Sequence, residues 1–518
     1  MDTTLQRLPI GIQGFEGLRN DGYLYVDKTR QVYELTHTNR YYFLSRPRRF
    51  GKSLLLSTIK CYYEGKRELF EGLYIATVEK DWRKYPVIFI DLNTEQYDTP
   101  EALVNKLNTI LCQYEALWGA DPSERSLSTR FEGVIRRAHE KTGLRAVILV
   151  DEYDKPMLQA IGNIELQDAY RATLKGFYGA LKSMDEHIQF AMLTGVTKFG
   201  KVSVFSDLNN LKDISMDVRY YDICGITEKD LFQNFPAQID RLAEANRLTH
   251  DECVARLRQR YDGYHFEETA PGVYNPFSVL NTFDRMKFGS YWFETGTPSY
   301  LAYLLRTHDY NLEQMATCQT SAKVLNSVDA NSADPIPVIY QSGYLTIKGY
   351  DEEFGTYQLG FPNLEVESGF IDYLMPYYTS LKGSETAFSI QHFVQDVRAG
   401  RTEQFLERLR SLFADTPYEL VKDLENHYQN VVWIVAKLMG FYVQAEYRTS
   451  RGRIDLVLKA PQYCYVMEFK LDGTAEEALE QIKDRNYALP FQLDGQQIIR
   501  VGLNFSKEHR NIERYVVE

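Results

Sequence analysis

Between residues 41 and about 200, uninterrupted apolar runs of strand length alternate with longer segments of helical length. The runs are Tyr41-Tyr42-Phe43-Leu44, Val87-Ile88-Phe89-Ile90, Ala146-Val147-Ile148-Leu149-Val150 and Phe190-Ala191-Met192-Leu193. A strand with one wet face alternates apolar and polar residues, whereas a strand covered on both faces does not, and parallel sheets are covered on both faces. The intervening segments Leu54–Gly65, Glu101–Trp118, Ser126–Thr142 and Asp168–Met184 are long enough to be crossover helices. The fold class expected is α/β with a parallel sheet. Residues 206–385 read as helical up to about 285, with a loop at Tyr261-Asp262-Gly263-Tyr264, then as a mixture containing a hairpin (Gly343–Lys348 with Thr356–Gly360). That middle region carries no chemical signature. From about 386 a compact α/β unit begins: two long helices, three strands, a helix and a final strand. For 518 residues, three domains (1–205, 206–385 and 386–518) match the usual domain size.

Several classes are excluded early. With 44% hydrophobic and 25% charged residues, the chain is not mainly disordered. The longest wholly apolar run, Val431–Ala436, has six residues, against the ~20 a spanning helix needs. Met1–Pro9 lacks an apolar signal core, so a cytoplasmic protein without a membrane partner is expected. Six scattered cysteines with no Cys-x-x-Cys pair point to a reducing compartment and away from structural zinc. The net charge of −12 argues against non-specific nucleic-acid binding by the whole surface. Residues 386–518 are nearly neutral, however, and Arg398, Arg401, Arg408, Arg410, Arg448, Arg451 and Arg453 could form local basic patches there.

The most informative short stretch is Arg46-Pro47-Arg48-Arg49-Phe50-Gly51-Lys52-Ser53-Leu54, which follows a buried strand and opens a helix. A P-loop in that context cradles phosphates with backbone N–H groups at a helix N-terminus. Lys52 would reach the β- and γ-phosphates, and the Ser53 hydroxyl would ligate Mg2+. Arg46 stands where the usual pattern has its first glycine, so a basic helix cap is the competing reading. Two later strand ends weigh against that. Val150 is followed by Asp151 and Glu152, suited to holding Mg2+ and polarising water. Phe190–Leu193 is followed by Thr194, placed to sense the γ-phosphate.

A second cluster lies near the C-terminus. Gly452–Leu458 and Tyr465–Lys470 read as hairpin strands turning at Lys459–Gln462, so Asp455 and Glu468 can converge. Glu468 and Lys470 are two apart and share a strand face. Two such carboxylates suit Mg2+, and a lysine beside them can orient water and stabilise charge at phosphorus. Glu425 borders the apolar stripe of a helix over 418–440, and Gln481 and Tyr487 lie on a helix over 475–489. An ordinary surface hairpin with a Glu468–Lys470 ion pair is the competing reading.

With these residues in view, the N-terminal half resembles the bacterial family of predicted AAA-ATPase-like proteins. The likeness rests on Leu8–Gly11, Tyr23–Thr29, Phe43–Ser53, Val150–Pro156 and Ser206–Asn210. In that family, an arginine at the position of Arg46 is normal. The last 130 or so residues resemble the PD-(D/E)XK nuclease superfamily. That resemblance implies motif roles for Asp455, Glu468 and Lys470, a helix acid at Glu425 and the following-helix glutamine at Gln481. The expectation is an ATP-binding, ATP-hydrolysing module with a helical middle region, fused to a Mg2+-dependent nuclease-like domain acting on DNA. ATP, Mg2+ and nucleic acid are the implied ligands, with a homo-oligomer among the assemblies allowed. The alternative is a nucleotide-switched signalling or scaffold ATPase whose C-terminal domain binds nucleic acid or protein without cutting.

Overall fold

The computed structural model describes residues 6–198, 210–294, 301, 304–305, 312–315, 318–326, 334–379, 381, 383–414, 424–440, 444–445, 448–449, 452–453, 455–471, 473–492 and 495–518. The chain divides into two units, one of residues 1–301 with 317–366 and the other of 302–316 with 367–518. Most of the middle region therefore belongs with the N-terminal unit by its contacts, and 367–385 with the C-terminal one.

The first unit is built on a five-stranded sheet of β1 (Tyr41–Ser45), β2 (Val87–Asp91), β3 (Ala146–Asp151), β4 (Ile188–Gly195) and β5 (Lys212–Asp213). Its spatial order is β2-β3-β4-β1-β5, and every pairing is parallel. All residues of β1 and β3 are buried, whereas the edge strand β2 alternates between half-buried and buried. The expected crossover helices are Lys52–Tyr63, Pro100–Trp118, Leu127–Thr142 and Ile164–Ser183. Local chemistry fixes their starts. Pro100 occupies a first-turn position where no N–H is needed, and Ser126 forms a capping box with Thr129. Helices Glu228–Asn234, Pro236–Ala245, His250–Tyr261 and Pro276–Arg285 enclose a second core that includes Leu231, Phe235, Leu257 and Phe283. A small antiparallel sheet of β6 (Gln319–Ser321), β7 (Thr346–Asp351) and β8 (Thr356–Gly360) completes the unit.

The second unit has helices Gly383–Arg398, Thr402–Ala414 and Leu424–Gly440 ahead of a mixed sheet. Its strands are β9 (Gln444–Ala445), the two-stranded pair β10 (Arg448–Thr449) and β11 (Gly452–Arg453), then β12 (Leu456–Lys459), β13 (Tyr463–Leu471), β14 (Gln497–Ser506) and β15 (Asn511–Val517). The five-stranded order is β15-β14-β13-β12-β9. β12 and β13 form the anticipated hairpin, with Lys459 opposite Cys464. β13 and β14 are parallel, connected through helix Ala475–Asp484. Two strands, not one, close the chain. β14 is buried over most of its length, whereas β15 is half-exposed.

Candidate functional site

At the first site, the chain leaves β1 at Ser45, turns through Arg46–Gly51 and enters helix Lys52–Tyr63. Two loop residues have left-handed backbone, Arg49 (φ 66°) and Gly51 (φ 98°). Glycine takes that conformation freely, so Gly51 suits the position where the loop folds into the helix. Lys52 is 4% exposed, and its Nζ donates to the Arg46 and Pro47 carbonyls at 3.0 and 3.2 Å. The same ammonium lies 3.5 Å from Glu152 Oε1. Parallel registration of β3 and β4 brings Thr194 beside Asp151, and its hydroxyl donates to Asp151 Oδ1 at 2.8 Å. The Ser53 hydroxyl faces the Asp151 carboxylate and favours its charged form. Burial, then the neighbouring Glu152 charge, raise the Asp151 pKa above the usual carboxylate range. Lys52, Ser53, Asp151, Glu152 and Thr194 thus meet at the C-terminal ends of parallel strands, where ligands of open α/β sheets bind.

The remaining loop side chains do other work. Arg46 is 1% exposed and turned inward, donating to the carbonyls of Ser45, Ser215 and Tyr220, with its guanidinium 3.9 Å from the Phe266 ring centre. Burial lowers its pKa to about 10. Its side chain therefore braces the loop from behind, leaving any phosphate contact to backbone. Phe50 is buried against Tyr264 and Phe266, while Arg48 and Arg49 are exposed. Pro47 is buried, and half-buried Leu54 lines an apolar cavity of about 100 Å³ with Pro9, Tyr25, Gly51, Ile226 and Leu280.

Sequence reasoning used Asp154 only as part of a likeness. It is fully buried and accepts from Val196 N (3.2 Å), Thr197 N (2.6 Å) and Thr197 Oγ1 (2.7 Å). Burial first, and Glu152 next, raise its pKa. It ties the acidic end of β3 to the chain leaving β4. Its position three residues beyond Asp151, just after an apolar strand, was the available signal. Residues 206–209 of the Ser206–Asn210 segment lie outside the described residues.

The second site is on β13. Glu468 is 4% exposed and Lys470 leaves the same strand face. Gln481, from helix Ala475–Asp484, links them: its amide nitrogen donates to Glu468 Oε1, and its carbonyl oxygen accepts from Lys470 Nζ at 2.5 Å. Lys470 Nζ is 4.0 Å from Glu468 Oε1. The helix reaches this position because Gly502 on β14 lets it approach: a Cβ there would lie 2.1 Å from the Ala475 carbonyl oxygen. Thr474 and Glu477 cap the helix start reciprocally. Asp455 precedes β12 and accepts from Phe469 N at 2.7 Å, so it sits beside Glu468 across the hairpin. Burial, then Asp455, push the Glu468 pKa up to about 8.

Glu468 Oε2 is buried with no hydrogen-bond partner among the described residues. An unpartnered buried oxygen beside a second carboxylate fits a hard divalent cation, which needs only one or two carboxylates when water completes its shell. Among the described residues no group of three or more His, Cys, Asp or Glu side chains is poised to hold a metal. Glu425 lies in the first turn of helix Leu424–Gly440, and its side chain lies outside the described residues. Tyr487 is fully buried, its hydroxyl accepting from Arg485 at 3.3 Å.

Three arginines of the anticipated basic patch are ion-paired. Arg401 and Arg408 both pair with Asp396, at 2.8 and 3.1 Å, and Arg410 faces Glu407 at 3.7 Å. Arg451 lies outside the described residues, as do the side chains of Arg448 and Arg453. No helix among the described residues is long and apolar enough to cross a membrane.

A family model described as "Predicted AAA-ATPase" matches residues 9–205, and one described as "PD-(D/E)XK nuclease superfamily" matches residues 423–515. A protein of Azotobacter chroococcum mcd 1, described as "Uncharacterized protein in vnfD 5'region", is 36% identical over 526 residues, covering 99% of each chain.

Proposed function

The chain belongs to the predicted AAA-ATPase family and carries a PD-(D/E)XK nuclease superfamily domain; from that premise we propose that it binds and hydrolyses ATP and cuts DNA phosphodiesters with Mg2+. The observation that carries the reading is that each site keeps an acid and a lysine together: Lys52 lies 3.5 Å from Glu152, and Gln481 bonds both Glu468 and Lys470. In the first unit, Lys52 neutralises phosphate charge, Ser53 and Asp151 hold Mg2+, Glu152 orients water and Thr194 positions the Asp151 carboxylate. The apolar cavity beside Gly51 and Leu54 receives the base. In the second unit, Asp455 and Glu468 hold Mg2+, with Glu425 as a third acid, while Gln481 fixes the distance between Glu468 and Lys470. When bound, the cation supplies Lewis-acid stabilisation of the phosphoryl oxygens. Lys470 aligns the attacking water and offsets developing negative charge. Scattered cysteines with no Cys-x-x-Cys pair favour the reducing cytoplasm as its place of action.

The test of the nucleotide half is Glu152→Gln, assayed by ATP titration and phosphate release. ATP binding should persist, while turnover falls about 10²–10⁴-fold, the range for losing a positioned acid–base group. Equal turnover in both proteins would remove Glu152 from the reaction. A second reading, a nucleotide-switched scaffold whose C-terminal unit binds without cutting, is favoured by the pairing of Arg401 and Arg408 with Asp396. Those pairs reduce the local positive charge that would hold a nucleic-acid backbone.

A further inference from the structure

The middle region, silent in the sequence, holds the phosphate loop from outside. The Trp292 indole Nε1 donates to the Arg48 carbonyl oxygen at 3.0 Å. Trp292 is itself fixed. Its backbone N–H donates to Glu365 Oε1 at 2.9 Å, and its ring packs against Tyr344 with centres 5.1 Å apart. Glu365 is fully buried, and its other oxygen accepts from Ser278 Oγ at 2.7 Å. All of these residues lie in the first unit.

The consequence follows from peptide geometry. In a trans peptide, the C=O of one residue and the N–H of the next point in opposite directions. Binding the Arg48 carbonyl outward to Trp292 therefore turns the Arg49 N–H the other way, away from the indole. Arg49 is also the loop's non-glycine residue in left-handed backbone, at φ 66°. Such a conformation persists only where the surroundings over-determine it. Here the bond to Trp292 constrains the peptide before Arg49, and the Phe277 ring lies 5.1 Å from its guanidinium carbon. Consecutive N–H groups around a left-handed residue form the kind of concavity that binds anions.

We propose that Trp292, backed by Glu365, is a positioning residue for ATP binding: its indole N–H holds Arg49 in left-handed backbone so that the loop amides face the phosphates. This rests on the nucleotide reading above. Trp292→Phe keeps the ring and removes only the donor.

The test uses the full chain as wild type, W292F, R49G and the double variant W292F/R49G, each checked by circular dichroism for an unchanged fold. ATP affinity is titrated, and KM and kcat are measured separately. Loss of one such bond should raise Kd and KM for ATP about fivefold while kcat changes by less than about twofold. Glycine adopts the left-handed conformation without help, so in the R49G background the same substitution should change Kd by less than about twofold. W292F matching wild type in Kd and KM overturns the proposal, as does an equal loss in both backgrounds, which would make Trp292 merely structural. A wild type that turns over ATP while W292F behaves identically leaves the nucleotide reading standing. A wild type that binds no ATP removes that reading and this inference with it.

Discussion

Replacing Glu468 with glutamine should make the metal-free protein more stable at neutral pH, against the usual outcome of altering a buried, hydrogen-bonded residue. Glu468 is 4% exposed, one of its oxygens accepts from Gln481, and the other has no partner among the described residues. Burial and Asp455 move its pKa from 4.5 to about 8. The sign follows directly. A carboxyl raised on folding adds most stability below its unfolded pKa, and that contribution is lost as pH rises from about 4.5 to about 8. At roughly 1.4 kcal/mol per pH unit, the loss reaches about 3 kcal/mol at pH 7, an upper figure because side-chain relaxation reduces it. Glutamine carries no such penalty and can still accept from Gln481. The assay is urea unfolding of the full chain in EDTA, read by hydrogen exchange in peptides spanning Tyr463–Leu471. E468Q should exceed wild type by about 2–3 kcal/mol at pH 8, and the gap should close towards pH 5. Mg2+ at ten times its Kd should add about 1.4 kcal/mol to wild type and nothing to E468Q. A variant less stable than wild type in EDTA at pH 8, or stabilised equally by Mg2+, would refute the reasoning.

Gly502→Ala places a Cβ 2.1 Å from the Ala475 carbonyl oxygen. It should destabilise the C-terminal unit by about 1–3 kcal/mol in urea titrations and displace Gln481 from Glu468. Asp154→Ala strands the N–H groups of Val196 and Thr197 and the Thr197 hydroxyl. At about 1–3 kcal/mol for each unsatisfied group, the loss should reach at least about 3 kcal/mol in denaturant midpoints. Glu365, raised by burial from 4.5 to about 7, should make the N-terminal unit lose stability as pH rises across that interval. Denaturation midpoints of E365Q should show a flatter pH dependence from 5 to 8.

The parallel sheet was legible because buried strands in the N-terminal unit have uninterrupted apolarity, and the edge strand β2 was readable even though its burial alternates. The strand-to-helix loop at Gly51-Lys52-Ser53, and the acids at the end of β3 that meet it, were legible from their order in the sequence. The hairpin carrying Asp455 and Glu468 was legible because spacing fixes which side chains share a face. What sequence could not show depends on distant partners. Arg46 reads as a cation near phosphate, yet three carbonyls and Phe266 hold it inside the protein. Arg401 and Arg408 read as free charge until the turn between helices Gly383–Arg398 and Thr402–Ala414 brings both to Asp396. Trp292 is 244 positions from Arg48, and no local pattern marks a bond of that range. β15 escaped notice because an edge strand with half-exposed residues has no strong periodicity.

The central claim, that the two acid–lysine clusters are working sites on one chain, is tested most directly by DNA cleavage. Full-length wild type, Asp455→Ala and Lys52→Ala are incubated with plasmid, linear duplex and single-stranded DNA, with Mg2+, with and without ATP. Mg2+-dependent DNA cleavage by wild type that is lost in Asp455→Ala, with ATP hydrolysis lost in Lys52→Ala, is the predicted result. Wild-type protein that leaves every DNA intact under all conditions, or Asp455→Ala that cuts as wild type does, would contradict it.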